Sequence, residues 1–278
     1  MPTVHYGPVE WPLVSPQCAG RAQSPVNIVT RKMLRDELLH PLQFTGYQET
    51  FHGLIENNGY TVQVLGLPSS ARVQGGKLAA PYKASSIHFH WGKDGGLGSE
   101  HTIDGEQFAM EMHIVHIKEE YETLSQALAD GSGVAVLGFF FQESPTSNKQ
   151  YDPIISALEE LKNAPSNSTL SGVTLGRLVP PETNLTRYYR YQGSLTTPDC
   201  DQAVVWTLFE TPILLSRKQL SAFSGLRSDI GTSLVNTYRP VQPLNGRQVY
   251  YSGGNLVLVS TALLISSVLA SSGLSLHT

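Results

Sequence analysis

Short runs of β-branched and aromatic residues, each soon interrupted by Gly, Pro, Asn or Ser, recur along this chain. Runs of that kind suit a pleated, half-buried backbone, so the pattern predicts a mainly β domain. The clearest are residues 60–65, 86–91, 110–116, 133–141 and 203–207. Helical pattern is sparse, its best stretches being 153–162, 121–129 and 217–223. No internal repeat, low-complexity block or linker divides the chain before its tail, and one domain is expected from about Gly7 to Tyr251.

The composition excludes two classes of function. Only 15% of residues are charged, 40% are hydrophobic and the formal net charge is −4. A disordered chain needs fewer apolar residues and more net charge. A nucleic-acid binder needs a basic excess to neutralise phosphates, and none is present.

Both cysteines, Cys18 and Cys200, are far apart in sequence. They are either two unrelated buried thiols or one bridge, which would close a loop long enough to stabilise the fold by an upper figure of about 5 kcal/mol. Two acceptor sequons for N-glycosylation, at Asn167 and Asn184, favour an extracellular setting. The first residues show no basic region followed by an apolar one, so no signal peptide is visible. The end reads LVLVSTALLISSVLA from Leu256 to Ala270, preceded by the small residues Ser252, Gly253 and Gly254. Small residues before an apolar tail form the signal for a glycosylphosphatidylinositol (GPI) anchor, although the usual polar spacer is almost missing. A retained membrane segment and an ordinary buried tail are the alternatives. The expected division is one folded domain over 1–252, with Ser252 as attachment residue, and a removed tail over 253–278.

Five of the nine histidines fall between His88 and His116. On a strand, His88 and His90 point to one face and Phe89 and Trp91 to the other. On a second strand, Glu111, His113 and Val115 share a face, opposite Met110, Met112, Ile114 and His116. If these strands are neighbours, three imidazoles converge, and three neutral imidazoles with one open position make a catalytic zinc site. Taken alone, a His-x-His pair is ordinary strand decoration. Glu111, two residues from His113, suits a carboxylate that fixes a ligand's tautomer, and a glutamate in an apolar strand needs some such partner.

These segments resemble the signatures of the α-class carbonic anhydrases: SIHFHWG from Ser86, GSEHT from Gly98, EMHIVH from Glu111 and GSLTTP from Gly193. QSPVNI from Gln23 and RPVQPL from Arg239 also match, in order, over nearly the whole chain before the tail. The resemblance implies a single domain on a large, twisted, mostly antiparallel central sheet with short peripheral helices. It implies reversible hydration of CO2 to bicarbonate and a proton, by attack of zinc-bound hydroxide, with Zn2+ held by His88, His90 and His113. Thr196 resembles the residue that accepts the hydroxide's hydrogen bond and passes its own proton to Glu100, with Thr197 beside it. Val115, Val136, Leu195, Val204 and Trp206 match the apolar wall that receives CO2, and Asn58 and Gln63 the hydrophilic half. His101 and His116 are read as structural. Cys18 and Cys200 match the disulfide of the extracellular members, and the tail resembles the GPI-linked vertebrate branch, types four and fifteen. Sulfonamide and anion inhibitors, a membrane reached through a lipid anchor and no nucleic acid complete the partners that this implies; no residue pattern fixes an oligomeric state.

Three departures from the family stand out. Tyr60 follows Asn57-Asn58-Gly59, where the fast members carry a proton-shuttle histidine. Water with a pKa near 7 releases its proton directly at only about 10³ s⁻¹ when recombination runs at about 10¹⁰ M⁻¹s⁻¹, against about 10⁶ s⁻¹ for the fastest zinc chemistry of this kind. A tyrosine, with an unperturbed pKa of about 10, relays poorly at neutral pH. Ser86 stands where many members have a glutamine touching the first ligand histidine. The start is short, lacks the anchored branch's extra cysteine pair and leaves Tyr6 only near the place of a network-supporting tyrosine, so a truncated start is expected. Two rival functions remain: a binding module that uses the same fold, and a zinc hydrolase acting on esters.

Overall fold

The computed structural model describes residues 7–253. Tyr6 and the tail from residue 254 lie outside the described residues. Twelve strands form one sheet: β1 (Leu34–Arg35), β2 (Leu42–Thr45), β3 (Phe51–Asn57), β4 (Val62–Leu65), β5 (Arg72–Gly75), β6 (Tyr82–Trp91), β7 (Met110–Lys118), β8 (Val134–Ser144), β9 (Ser166–Val173), β10 (Tyr188–Gly193), β11 (Val204–Ser216) and β12 (Tyr250–Tyr251). Their spatial order is β9-β3-β4-β6-β7-β8-β11-β10-β12-β1, with β2 and β5 paired beside β6. The pairs β8–β11 and β12–β1 are parallel and the other pairings of this sheet antiparallel. The expected mostly antiparallel central sheet is therefore the observed one.

Alternation along β7 sorts its side chains as its sequence requires. Met110, Met112 and Ile114 enter the larger core with Ile87, Phe89, Phe139 and Phe141. Val115 and Ile117 enter a second core on the other face, with Val136, Val204, Trp206 and Leu208. All nine residues of β7 are buried, because β6 and β8 flank it and both faces are covered.

The three expected helices are present but shorter: Leu124–Leu128, Asp152–Ala157 and Arg217–Ala222. Thr123 and Ser216 start two of them with reciprocal capping boxes, using Gln126 and Gln219. Strand β11 runs nine residues beyond the stretch read from sequence, through Pro212 to Ser216. A proline has no N–H for a ladder, and here it falls in a register irregularity between Phe209 and Ile213, opposite Phe139 to Phe141.

Candidate metal centre

The adjacency of β6 and β7 brings the histidines together. In their antiparallel register His113 stands opposite His88, and Glu111 opposite His90. His113 Nδ1 lies 3.1 Å from His88 Nε2 and 3.1 Å from His90 Nε2. The three residues form a group whose ligand atoms lie within 4.8 Å of one another.

Tautomers follow from the outer hydrogen bonds. His90 Nδ1 donates to the Thr237 carbonyl at 2.7 Å, which leaves Nε2 as an inward lone pair. His113 Nε2 donates to Glu111 Oε1 at 2.6 Å, which leaves Nδ1 inward. Burial, with the neighbouring His113 and His90, holds His88 well below the usual imidazole range. Burial also lowers His113, against the pull of Glu111. Lone pairs facing each other at 3.1 Å repel unless a cation takes them.

Glu111 is the hub behind this cluster. Its Oε2 accepts the backbone N–H groups of Glu100 and His101 at 2.9 and 2.8 Å, and its Oε1 accepts His101 Nδ1 at 2.7 Å besides His113 Nε2. Full burial would raise its pKa, but the charges and hydrogen bonds of His101 and His113 overcome that and hold it well below the carboxylate range. The chain continues outward: Tyr191 Oη donates to His101 Nε2 at 2.6 Å and lies 2.8 Å from Ser24 Oγ. Burial keeps the Tyr191 phenol protonated, well above its ordinary value. His101, Glu111 and His113 also converge tightly enough to suggest a second metal group. Each of their facing atoms is already committed to a hydrogen bond, so they form a support rather than a site.

The donor set fits zinc. Bonds of 2.0–2.1 Å in a tetrahedron separate nitrogen ligands by about 3.3 Å, close to the 3.1 Å found for two of the pairs. A carboxylate adds to the case. Glu100 is 2% exposed, and its Oε2 has no hydrogen-bond partner. That orphaned oxygen lies 3.3 Å from His90 Nε2 and 3.9 Å from His113 Nδ1, while Oε1 is pinned by the Arg239 N–H at 2.8 Å. A buried carboxylate oxygen without a partner and three imidazole nitrogens converging on one point are a cation's surroundings.

The other residues named from sequence are spread over several elements. Thr196 is buried and Thr197 exposed, on the turn before Cys200. Glu100 Oε2 makes no hydrogen bond to Thr196 in this structure. That turn is held by Leu195 N–H to Asp201 O, Cys200 N–H to Thr197 O and Gln23 Nε2 to Cys200 O. A disulfide joins Cys18 to Cys200. Val115, Val136 and Trp206 lie in one row across β7, β8 and β11, Leu195 packs against them, and Val204 is fully buried behind. Gln63 stands opposite His88 across β4 and β6, and Asn58 Nδ2 points to Gln63 Oε1 at 3.4 Å. Tyr60 is 61% exposed, on the turn between β3 and β4. Ser86 is buried beside the site and makes no hydrogen bond to His88 among the described residues. His116 lies on the opposite face, bonded to Tyr47 Oη at 2.8 Å and to the Ile114 carbonyl.

Asn167, on the edge strand β9, and Asn184, in a short 3-10 turn, are both exposed. Ser252 is buried: its N–H donates to Tyr188 O, its Oγ to Thr186 O, and it accepts the Tyr188 N–H. Sequence reasoning missed the Thr237 carbonyl, since any residue supplies one, and the Tyr191–Ser24 extension, since nothing local marks it.

The model for the eukaryotic-type carbonic anhydrases matches residues 6–253. Among curated proteins, rabbit (Oryctolagus cuniculus) carbonic anhydrase 4 is 38% identical over 95% of this chain and 86% of its own length. Carbonic anhydrase 15 of Mus musculus is 36% identical over 87% of this chain and 79% of its own. Human carbonic anhydrase 12 is 35% identical, with 95% and 76% covered.

Proposed function

The chain belongs to the eukaryotic-type carbonic anhydrase family and is an enzyme of that family, and from that premise we propose that it catalyses the zinc-dependent hydration of CO2 to bicarbonate and a proton, limited by proton export at Tyr60. The observation that carries the reading is the convergence of three imidazole nitrogens beside the orphaned oxygen of Glu100.

His88 Nε2, His90 Nε2 and His113 Nδ1 would hold Zn2+, which would supply a Lewis acid able to lower the pKa of water to about 7 and so provide a nucleophile at neutral pH. The protein's own groups do the rest. The Thr237 carbonyl and Glu111 fix the tautomers of His90 and His113 and turn one nitrogen of each inward. The Thr196 hydroxyl would donate its hydrogen bond to Glu100 Oε2, the buried oxygen left without a partner, so that the hydroxyl oxygen is free to accept from the attacking group and orient it. Arg239 N–H keeps Glu100 from turning away. CO2, which has no charge and weak hydrogen bonding, rests against Val115, Val136, Leu195 and Trp206, with Thr197 at the open side. Bicarbonate then leaves as the next water enters, and sulfonamides or small anions compete for the same position.

At the turn after Gly59 the chain offers the proton a phenol rather than an imidazole. Tyr60 sits at the rim, and export depends on bases from solution. The disulfide and the two exposed sequons support an extracellular enzyme, glycosylated at Asn167 and Asn184. We read Ser252 as the GPI attachment residue: β10 holds its side chain and N–H, so an anchor on its carbonyl would tether the sheet edge close to the membrane. No helix among the described residues is long and apolar enough to cross a membrane.

Stopped-flow CO2 hydration, with and without a zinc chelator or an aryl sulfonamide, tests the reading. Activity abolished by both is expected; zinc-loaded protein without hydration activity would instead make this a binding module. Tyr60→His is expected to raise turnover in weak buffer, and a wild-type turnover near 10⁶ s⁻¹ unchanged by that substitution would overturn the role given to Tyr60.

A further inference from the structure

The row that carries His88 continues outward to a carboxylate. His88 stands opposite Gln63 across β6 and β4, and Gln63 stands opposite Glu56 across β4 and β3. Opposed residues of antiparallel strands share a face and lie about 5 Å apart, so the Glu56 backbone is about 10 Å from that of His88 on the site's own face. Burial along β3 agrees: Phe51, Gly53, Ile55 and Asn57 are buried, and His52, Leu54 and Glu56 face the other way. Glu56 is partly exposed, and no hydrogen bond or ion pair holds its carboxylate among the described residues.

The surroundings of Glu56 are polar. Asn58 Oδ1 accepts the N–H groups of Tyr60 and Thr61, which turns its amide toward Gln63. Asp229 approaches the same turn: a Cβ added at Gly59 would lie 3.5 Å from its side chain. Of the other titratable groups, His52 is held by Ser171 Oγ and Arg227 by the Gly231 carbonyl.

We propose that Glu56 is a specificity-determining residue for the reaction's second substrate, the base that carries the proton away. It favours neutral bases whose conjugate acids are cations, such as imidazole, over anionic bases such as hydrogen phosphate. This rests on the reading of the chain as a CO2 hydratase whose Tyr60 leaves export to solution. Imidazole enters neutral, accepts the proton and leaves as imidazolium, so positive charge develops beside the carboxylate and is stabilised there. Hydrogen phosphate must bring two negative charges past it and leave as dihydrogen phosphate. One charge at about 10 Å in a partly solvated rim changes each rate about threefold, and less as salt shortens the screening length.

The test compares wild type, Glu56→Gln and Glu56→Lys, all zinc-loaded, by the dependence of CO2 hydration on added imidazole and on added phosphate. The imidazole-to-phosphate ratio is expected to fall about tenfold in Glu56→Gln, the two threefold changes combined, and further in Glu56→Lys, with both differences shrinking at high salt. A second reading needs no turnover: amide shifts of Tyr60 and Thr61 on titration with imidazolium chloride at pH 6 should weaken in the same order. Equal ratios and equal shifts in the three proteins overturn the proposal. Charge-ordered shifts in a protein that hydrates no CO2 would overturn the reaction and leave the preference of Glu56 standing.

Discussion

Glu111 accepts four hydrogen bonds with two oxygens, and every donor lies at or next to the metal centre. A glutamine there replaces one acceptor oxygen with an NH2 group, which sets donor against donor at His113, at His101 or at the backbone. His113 would then lose the bond that fixes its tautomer. Glu111→Gln is expected to weaken zinc binding about 10- to 100-fold, as loss of such supporting carboxylates does, read by competition with a chelator; a loss under about threefold would contradict it. His116 gives a second residue-scale prediction. Burial lowers its pKa from 6.5 to about 4. Above pH 6.5 folded and unfolded forms are both neutral there, and the contribution is full. As pH falls toward 4 the unfolded chain takes up a proton that the folded one refuses, so stability declines across that window by up to about 3 kcal/mol. His88 and His113 are lowered too, so urea unfolding of wild type against His116→Gln at pH 7 and pH 4.5 isolates the effect: the variant should show the shallower decline.

At the scale of elements, β10 shows how closely the sheet approaches the chain's start. A Cβ at Gly193 would lie 2.2 Å from Ser24 Oγ, 2.8 Å from the Tyr191 ring and 3.0 Å from Trp206. All three neighbours are buried, and Ser24 and Tyr191 end the hydrogen-bond chain that starts at Glu111. Gly193→Ala is expected to cost about 1–3 kcal/mol by overpacking, read as a lower urea midpoint; an unchanged midpoint would show that Ser24 moves freely. The strands that hold the metal centre were legible because alternation separates His and Glu on one face from large apolar residues on the other: β6 and β7 read correctly through their His, Phe and Glu placements. The end of the sheet formed by β12 and β1 was not legible. Strands β1 and β12 are two residues each, and a pairing that short is created by docking rather than by local pattern. The parallel pairing of β8 with β11 was equally hidden, since buried runs read alike whichever neighbour they meet.

Across the whole molecule, the site depends on the disulfide between Cys18 and Cys200, which spans 182 positions. Sequence named both cysteines but left their pairing to resemblance, because two lone thiols carry no geometric signal. The structure shows what the bridge connects. Cys18 lies under Arg239, whose Nη2 donates to its carbonyl and whose guanidinium covers the Trp11 ring at 5.3 Å. The N–H of that same Arg239 holds Glu100, and Cys200 ends the turn that carries Thr196 and Thr197. The three ligand histidines, by contrast, stand on β6 and β7, directly paired strands in the middle of the sheet. Cys18→Ser with Cys200→Ser should therefore separate two properties. Stability should fall by about 2–5 kcal/mol, as loss of a native disulfide does. Zinc affinity should hold, because its ligands sit on paired strands. CO2 hydration per bound zinc should drop, because Thr196 and Glu100 lose the frame that keeps them in step. Chelator competition and stopped-flow hydration on the same zinc-loaded variant decide the matter: zinc lost in step with activity would mean that the bridge supports the whole centre, whereas retained zinc with impaired hydration would assign it to the turn alone.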